Sequence, residues 1–293
     1  MSSTSSPAAV AFVPTLRHDT YDYIRSLKGD FEDRSVLVTG ASKGIGQAVA
    51  VAYARAGYSK IGLLARSSAA ATVERATEAA TAAGHATPDF LVLTADLTAV
   101  DSVAAAASKV RATFGSVDIL INNAGYMEAW NLVDASEPDD WWRAWEVNVK
   151  GTYLMTRAFL PLVLKSRQKT ILSVSSAGAW FTLRGGSAYE GTKTAQIRFN
   201  QHILCEYGDQ GLLAYAVHPG GVKTELSSAI PGDFQWMLSD APELPADTIV
   251  WLTQERREWL ADRYISVQWD MEEFLSKMDE VVEKDLLRLK LSQ

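Results

Sequence analysis

Short apolar, β-branched runs recur along the chain at residues 36–39, 61–65, 90–94, 119–122, 170–175, 213–217 and 264–267. They are apolar at successive positions, the pattern of strands buried on both faces, and each is too short for a helix. Helical patterns lie between them. One covers residues 47–56, Ala-rich ones lie near 69–83 and 100–114, and longer ones near 139–164 and 188–207. Strands that alternate with helices imply right-handed crossovers. The predicted fold class is therefore α/β: a doubly wound parallel sheet of about seven strands flanked by helices, in a single domain.

The flanks depart from that rhythm. Residues 1–33 are Ser/Pro-punctuated and then mixed, and read as an arm lying over a catalytic domain at 34–269. Within the domain, Pro231, Gly232, Pro242 and Pro245 surround Phe234, Trp236, Met237 and Leu238. Apolar residues in so breaker-rich a loop suggest a substrate lid around 225–245, or a surface loop tucked against a neighbouring subunit. Residues 270–293 read as a C-terminal helix, with Phe274, Leu275, Met278, Val281, Val282, Leu286 and Leu287 at helical spacing.

Charge and cysteine usage narrow the classes. A formal charge of −7 over 293 residues, without a long Lys/Arg cluster, argues against nucleic acid or an anionic membrane as partner. The single cysteine, Cys205, excludes an intramolecular disulfide framework and is expected as a small buried hydrophobe. No apolar run reaches the ~18 residues of a membrane span, and the opening lacks a secretory pattern. A soluble, cytoplasmic protein is expected. His18, His85, His202 and His218 are scattered without ligand spacing, so no catalytic metal is expected.

The chemistry is concentrated in two places. The run Ser35-Val36-Leu37-Val38-Thr39 leads into Gly40-Ala41-Ser42-Lys43-Gly44-Ile45-Gly46 and then a helix, the setting a dinucleotide phosphate site requires. Gly40 permits the tight turn, Gly44 lets backbone approach a pyrophosphate, and Gly46 lets helix and strand pack closely. The amides opening the helix then face the phosphates. Downstream, Tyr189 and Lys193 stand one helical turn apart, with Ser176 thirteen residues before the tyrosine. A lysine ammonium beside a phenol is expected to lower its pKa from ~10 toward working pH. Such a group can protonate a carbonyl or deprotonate an alcohol, with Ser176 holding the same oxygen.

Thr39-Gly40-x-x-x-Gly44-x-Gly46, Asn122-Asn123-Ala124-Gly125, Asn148, Ser176, Tyr189-x-x-x-Lys193 and Pro219-Gly220-x-Val222-x-Thr224 together resemble the ordered signature of the short-chain dehydrogenase/reductase family. The likeness spans residues 35–269, and the segments 12–24 and 251–269 resemble fungal members. The resemblance implies a Rossmann fold and a catalytic set of Asn148, Ser176, Tyr189 and Lys193. In that set Asn148 keeps a water relay to the lysine, and Lys193 holds the nicotinamide ribose. Cofactor contacts are implied for Gly40, Ser42, Lys43, Gly44, Ile45, Gly46, Arg66, Asp96, Leu97, Asn123, Ala124, Gly125, Tyr189, Lys193, Pro219, Gly220, Val222 and Thr224. Residues 61–67 lack the carboxylate that would bond an NAD ribose, whereas Arg66 and Lys43 supply cations for a 2′-phosphate. NADP(H) is the expected cofactor.

Trp130, Trp180, Phe181, Phe234 and Trp236 would flank the tyrosine and suggest a bulky apolar or aromatic ketone or secondary alcohol. Trp180, Phe234 and Trp236 are the expected substrate contacts. Two other functions fit the same residues: an NADP-binding regulator or scaffold without turnover, and dehydratase or epimerase chemistry. As in the family, a homo-oligomer is expected, a dimer or tetramer built through the helical segments 139–164 and 188–207.

Overall fold

Seven strands line up edge to edge: β1 (Ser35–Thr39), β2 (Lys60–Ala65), β3 (Asp89–Thr94), β4 (Ile119–Asn122), β5 (Thr170–Val174), β6 (Leu213–His218) and β7 (Tyr264–Ser266). This computed structural model describes residues 11–27 and 31–291. The order is β3-β2-β1-β4-β5-β6-β7, and every neighbouring pair is parallel. Each strand falls on a predicted apolar run. β1, β4, β5 and β6 are buried at every position. β3, at the sheet edge, exposes Asp89, Val92 and Thr94.

The helices are α1 (Asp22–Arg25), α2 (Gly44–Arg55), α3 (Ala70–Ala82), α4 (Val100–Thr113), α5 (Pro138–Trp145), α6 (Thr152–Leu164), α7 (Ser187–Tyr207), α8 (Glu243–Thr253), α9 (Met271–Ser276) and α10 (Met278–Glu283). Side chains alternate across a strand, so successive residues feed two cores. Val36, Val38, Leu63 and Ile121 join Val49 of α2 and Ile249 of α8 in one. Leu37, Leu64 and Leu120 join Val110 of α4 and Phe159 of α6 in the other. The chain leaves β1 toward β2 and returns to β4 on the opposite side. A crevice opens where those two connections diverge, at the carboxyl ends of β1 and β4.

Three expectations are revised. The segment 139–164 is not one α-helix: a π turn at Glu146–Gly151 separates α5 from α6 and carries the fully buried Asn148. The tail is not one helix either. Lys277 leaves helical geometry at φ −96°, ψ 8° between α9 and α10, so Phe274 and Val281 are both buried while Met278 and Val282 face solvent. Cys205 is exposed, because α7 turns Ile197, Asn200 and Ile203 inward and residue 205 away from that face. Two further facts concern the described residues alone: no helix is long and apolar enough to cross a membrane, and no group of three or more His, Cys, Asp or Glu is placed to hold a metal ion.

Residues 15–17 of the arm are sewn to residues 269–273. Thr15 donates through its hydroxyl to Glu273 at 2.7 Å, Arg17 pairs with Asp270 at 2.7 Å, and Leu16 bridges Trp269. Asp247 of α8, with a side chain only 3% exposed, accepts from Arg55 of α2 and from the Thr20 hydroxyl. That carboxylate ties α8, the arm and the helix of the glycine loop together. Asp247→Ala is expected to lose about 2–3 kcal/mol, below the full buried-pair figure because Arg55 is partly solvated. Urea unfolding checks it, and a loss under about 0.5 kcal/mol, the range of ordinary surface substitutions, would contradict it.

Candidate active site

β1 ends on Thr39, whose hydroxyl oxygen accepts from Asn123 N at 2.9 Å and Ala124 N at 3.0 Å. Asn123 answers by donating its carboxamide to Thr39 O at 2.8 Å. These bonds bring the loop after β4 against the glycine loop. Gly40 and Gly44 adopt φ of +66° and +58°, the region that favours glycine. A Cβ on Gly46 would stand 2.4 Å from Gly40 O and 2.5 Å from Asn123 Nδ2, so only glycine lets α2 approach this closely. Among the described residues no side chain caps α2, whose first turn presents the backbone amides that an anion can satisfy.

The resulting cleft encloses about 830 Å³ and is lined by Gly40, Ser42, Lys43, Gly44, Ile45, Gly46, Arg66, Asp96, Leu97, Asn123, Ala124, Gly125, Tyr189, Lys193, Pro219 and Thr224. Those sixteen expected cofactor residues are thus brought together. Gly220 and Val222 lie beyond it, on an adjoining cavity of about 670 Å³. Arg66 is exposed on the cleft wall, while Lys43 is paired with Glu225. Thr98 donates to Asp96 through its backbone and its hydroxyl, both at 2.8 Å, and holds that carboxyl below its ordinary value.

The two spaces meet at Tyr189, which lines both. The second is mostly apolar: Trp130, Phe181, Phe234 and Trp236 line it, with Ser176 at the tyrosine. The Trp130 and Phe234 rings lie 6.0 Å apart. Trp180 does not join them, packing edge-on against Tyr264 at 5.2 Å while its neighbour Phe181 takes the cavity wall.

Lys193 is buried and donates Nζ to Val174 O at 2.8 Å, with the same nitrogen 5.4 Å from the Tyr189 ring centre. The expected lowering of the phenol does not occur in the chain alone. Burial pushes Tyr189 up to about 12, against a hydrogen bond with Ser176, and burial pulls Lys193 down to about 7. The physical reason is desolvation: the ammonium is buried and spends its hydrogen bond on a backbone carbonyl, and the phenol stands in largely apolar surroundings.

Asn148 is a brace. Its Oδ1 accepts from Tyr126 N at 2.8 Å, and its Nδ2 donates to Tyr126 O at 2.8 Å and Thr192 Oγ1 at 2.9 Å. Both ends of its carboxamide are thus committed to protein partners. The wider π turn lets this side chain point inward between the loop after β4 and α7.

Sequence reasoning missed Glu128, 2% exposed, which accepts from Ala188 N and Tyr189 N at 3.0 Å and caps the helix carrying the tyrosine. It is a lone carboxylate distant in sequence from α7, so no local pattern marks it. Glu190, inside the Tyr-x-x-x-Lys motif, accepts from Leu183 N at 3.0 Å and is pushed up to about 7 by burial. His218 accepts from Ala177 N at 3.1 Å and is pulled by burial to about 4.

A doubly wound sheet whose glycine-loop cleft, reaching Lys193, adjoins an apolar cavity at Tyr189 and Ser176 defines an oxidoreductase that uses a nicotinamide cofactor. The chain belongs to the short-chain dehydrogenase/reductase family: the family model for short chain dehydrogenases matches residues 34–233. It is 49% identical over 284 residues to the short chain dehydrogenase citE of Monascus ruber, covering 97% of each chain. The short chain dehydrogenase andI of Emericella variicolor is 43% identical, with 95% of each covered. Among solved structures, a putative short chain dehydrogenase from Shigella flexneri complexed with NADP superposes with a TM-score of 0.71 at 26% identity, covering 82% of this chain and 100% of that one. A 3-ketoacyl-(acyl-carrier-protein) reductase from Brucella melitensis complexed with NADH gives 0.70 at 26%, covering 81% and 98%.

Burial of Lys193 makes stability pH-dependent with a definite sign. Between pH about 7, its folded value, and 10.5, its ordinary value, the unfolded chain holds a proton that the folded chain has released, so this position favours folding more as pH rises. Lys193→Met removes the dependence. From pH 6.5 to 9.5 the wild type should gain roughly 2–3 kcal/mol on the variant in urea unfolding. A constant gap would contradict the buried ammonium.

Proposed function

We propose that the protein interconverts a bulky apolar or aromatic ketone and its secondary alcohol with NADP(H). The observation that carries this reading is the position of Tyr189, on the wall shared by the phosphate-binding cleft and the apolar cavity. When bound, the nicotinamide cofactor supplies the hydride. The chain supplies position and proton. Tyr189 gives its hydroxyl proton to the carbonyl oxygen in reduction and takes it back in oxidation, while Ser176 donates a hydrogen bond to the same oxygen. A phenol held near 12 stays protonated and ready for reduction, so alcohol oxidation should climb with pH as the phenolate forms. Lys193, one helical turn away, reaches toward the ribose hydroxyls.

The preference for NADP(H) rests on Arg66 at the end of β2, where no carboxylate stands, with Lys43 beside it in the cleft wall. The loop between Thr224 and α8 holds Leu226, Ile230, Phe234 and Trp236 against the apolar cavity and acts as the substrate lid. The protomers form a dimer or tetramer through the α5–α6 and α7 segments, where Trp142 and Tyr153 are exposed.

Tyr189→Phe is expected to cut ketone reduction at least 100-fold, as loss of a general acid does, with NADPH affinity and melting temperature nearly unchanged. Retention of more than a few per cent of the wild-type rate would sink the assignment. For the cofactor, Arg66→Ala should weaken NADPH binding by about 1.5–3 kcal/mol, one charge-assisted contact, and leave NADH untouched. Calorimetry showing equal losses for both, or a wild type preferring NADH, would overturn the NADP(H) reading.

A further inference from the structure

The wall of the apolar cavity carries a polar chain that hydride transfer does not use. Much of it comes from segments outside residues 34–233, the span matched by the family model. His18 belongs to the arm, Asp240 precedes α8, and Gln268 follows β7; of these, His18 and Gln268 line the cavity. Asp240 is buried and its carboxylate is saturated. Its Oδ2 accepts from Gly221 N at 2.6 Å and Gln268 Nε2 at 2.8 Å, and its Oδ1 meets His18 Nδ1 at 2.5 Å.

This arrangement fixes the tautomer. A carboxylate can only accept, so Nδ1 of His18 donates, and in the neutral imidazole tautomer this selects, Nε2 is the acceptor. That nitrogen makes no hydrogen bond to any described residue, and the side chain, 56% exposed, is part of the cavity lining. The backbone holds the ring in place: Ala241 N donates to His18 O at 2.8 Å, and Arg17 N donates to Gln268 O at 2.7 Å. His18 therefore brings a held imidazole to the wall of a mostly apolar cavity that it shares with Trp130, Phe181, Phe234, Trp236 and Leu238.

We propose that His18 determines specificity for a substrate hydroxyl distinct from the reacting carbonyl, a phenol or enol whose O–H donates to His18 Nε2. This rests on reading the cavity as the substrate site. A hydroxyl entering apolar walls gives up water and must regain a partner, and the imidazole returns one. A carboxylate at the same point would face the charge of Asp240 behind the ring. A wall that hydrogen-bonds a hydroxyl also rejects the analogue lacking it, leaving its own acceptor unpaired.

The test measures equilibrium binding by tryptophan fluorescence of the full chain saturated with NADP+, which permits no reduction of an added ketone. The probes are 6-hydroxy-2-tetralone, 2-tetralone and the 6-carboxylate analogue. The wild type is expected to bind the hydroxy compound about tenfold more tightly than 2-tetralone, the yield of one hydrogen bond. His18→Phe should abolish that ratio while leaving 2-tetralone affinity unchanged, and His18→Gln, which keeps an acceptor, should restore part of it. Equal wild-type affinities, the same loss for both ketones in His18→Phe, preference for the carboxylate, or binding of neither ketone would each overturn the proposal. NADPH turnover is scored separately. A hydroxyl preference without turnover defeats the reductase reading and leaves this one standing; turnover without preference does the reverse.

Discussion

Three pieces of backbone meet around Thr39 more closely than any side chain would allow, and the rest of the site depends on that approach. The end of β1, the first turn of α2 and the loop after β4 share the bonds among Thr39, Asn123 and Ala124, with Gly46 pressed against Gly40 O. A methyl group at Gly46 would collide with a carbonyl and a carboxamide at once. Because the loops leave β1 and β4 in opposite directions, this contact sets one wall of the crevice. The other wall, α7, is held to the loop after β4 by Asn148 and at its N-terminus by Glu128. Tyr189 stands where the two walls face each other.

Desolvation governs the chemistry of the completed site. Lys193, Glu190 and His218 are each moved toward their neutral forms by burial, and Tyr189 is kept in its own. A site this buried holds its charges at a cost, which fits the rule that functional positions depart from the stability optimum. The same burial makes each remaining hydrogen bond more discriminating. Ser176 at the phenol and His18 on the cavity lining act against apolar walls.

The sheet was legible because seven apolar runs of strand length cannot be satisfied in water, and the glycine spacing marks a backbone approach that other residues forbid. Tyr189 and Lys193 were legible as one turn of a helix. What escaped depends on packing at a distance. The π turn at Asn148 is stabilised by Tyr126 and Thr192 from other segments, so the local helical pattern gives no sign of it. Glu128 and the His18–Asp240 pair join residues 60 and 222 positions apart from their partners, beyond any periodic signal. Trp180 and Phe181 are neighbours, and only tertiary packing decides which ring takes the cavity. The fate of the phenol was misjudged because adjacency to lysine was weighed and burial was not.

The central claim is that this cleft and cavity together transfer a hydride to a substrate carbonyl carbon, with Tyr189 moving the proton. Incubation with NADPH deuterated on one or the other face of the nicotinamide C4, over aromatic and polycyclic ketones, tests it by mass spectrometry of the products. The doubly deuterated cofactor, from which product must always take up label, runs in parallel. The expected result is an alcohol with one deuterium on the carbinol carbon, delivered by the doubly deuterated cofactor and by only one of the two single-face labels. Product free of deuterium from the doubly deuterated cofactor, or cofactor recycled without net oxidation, would contradict the claim and indicate dehydration or epimerisation.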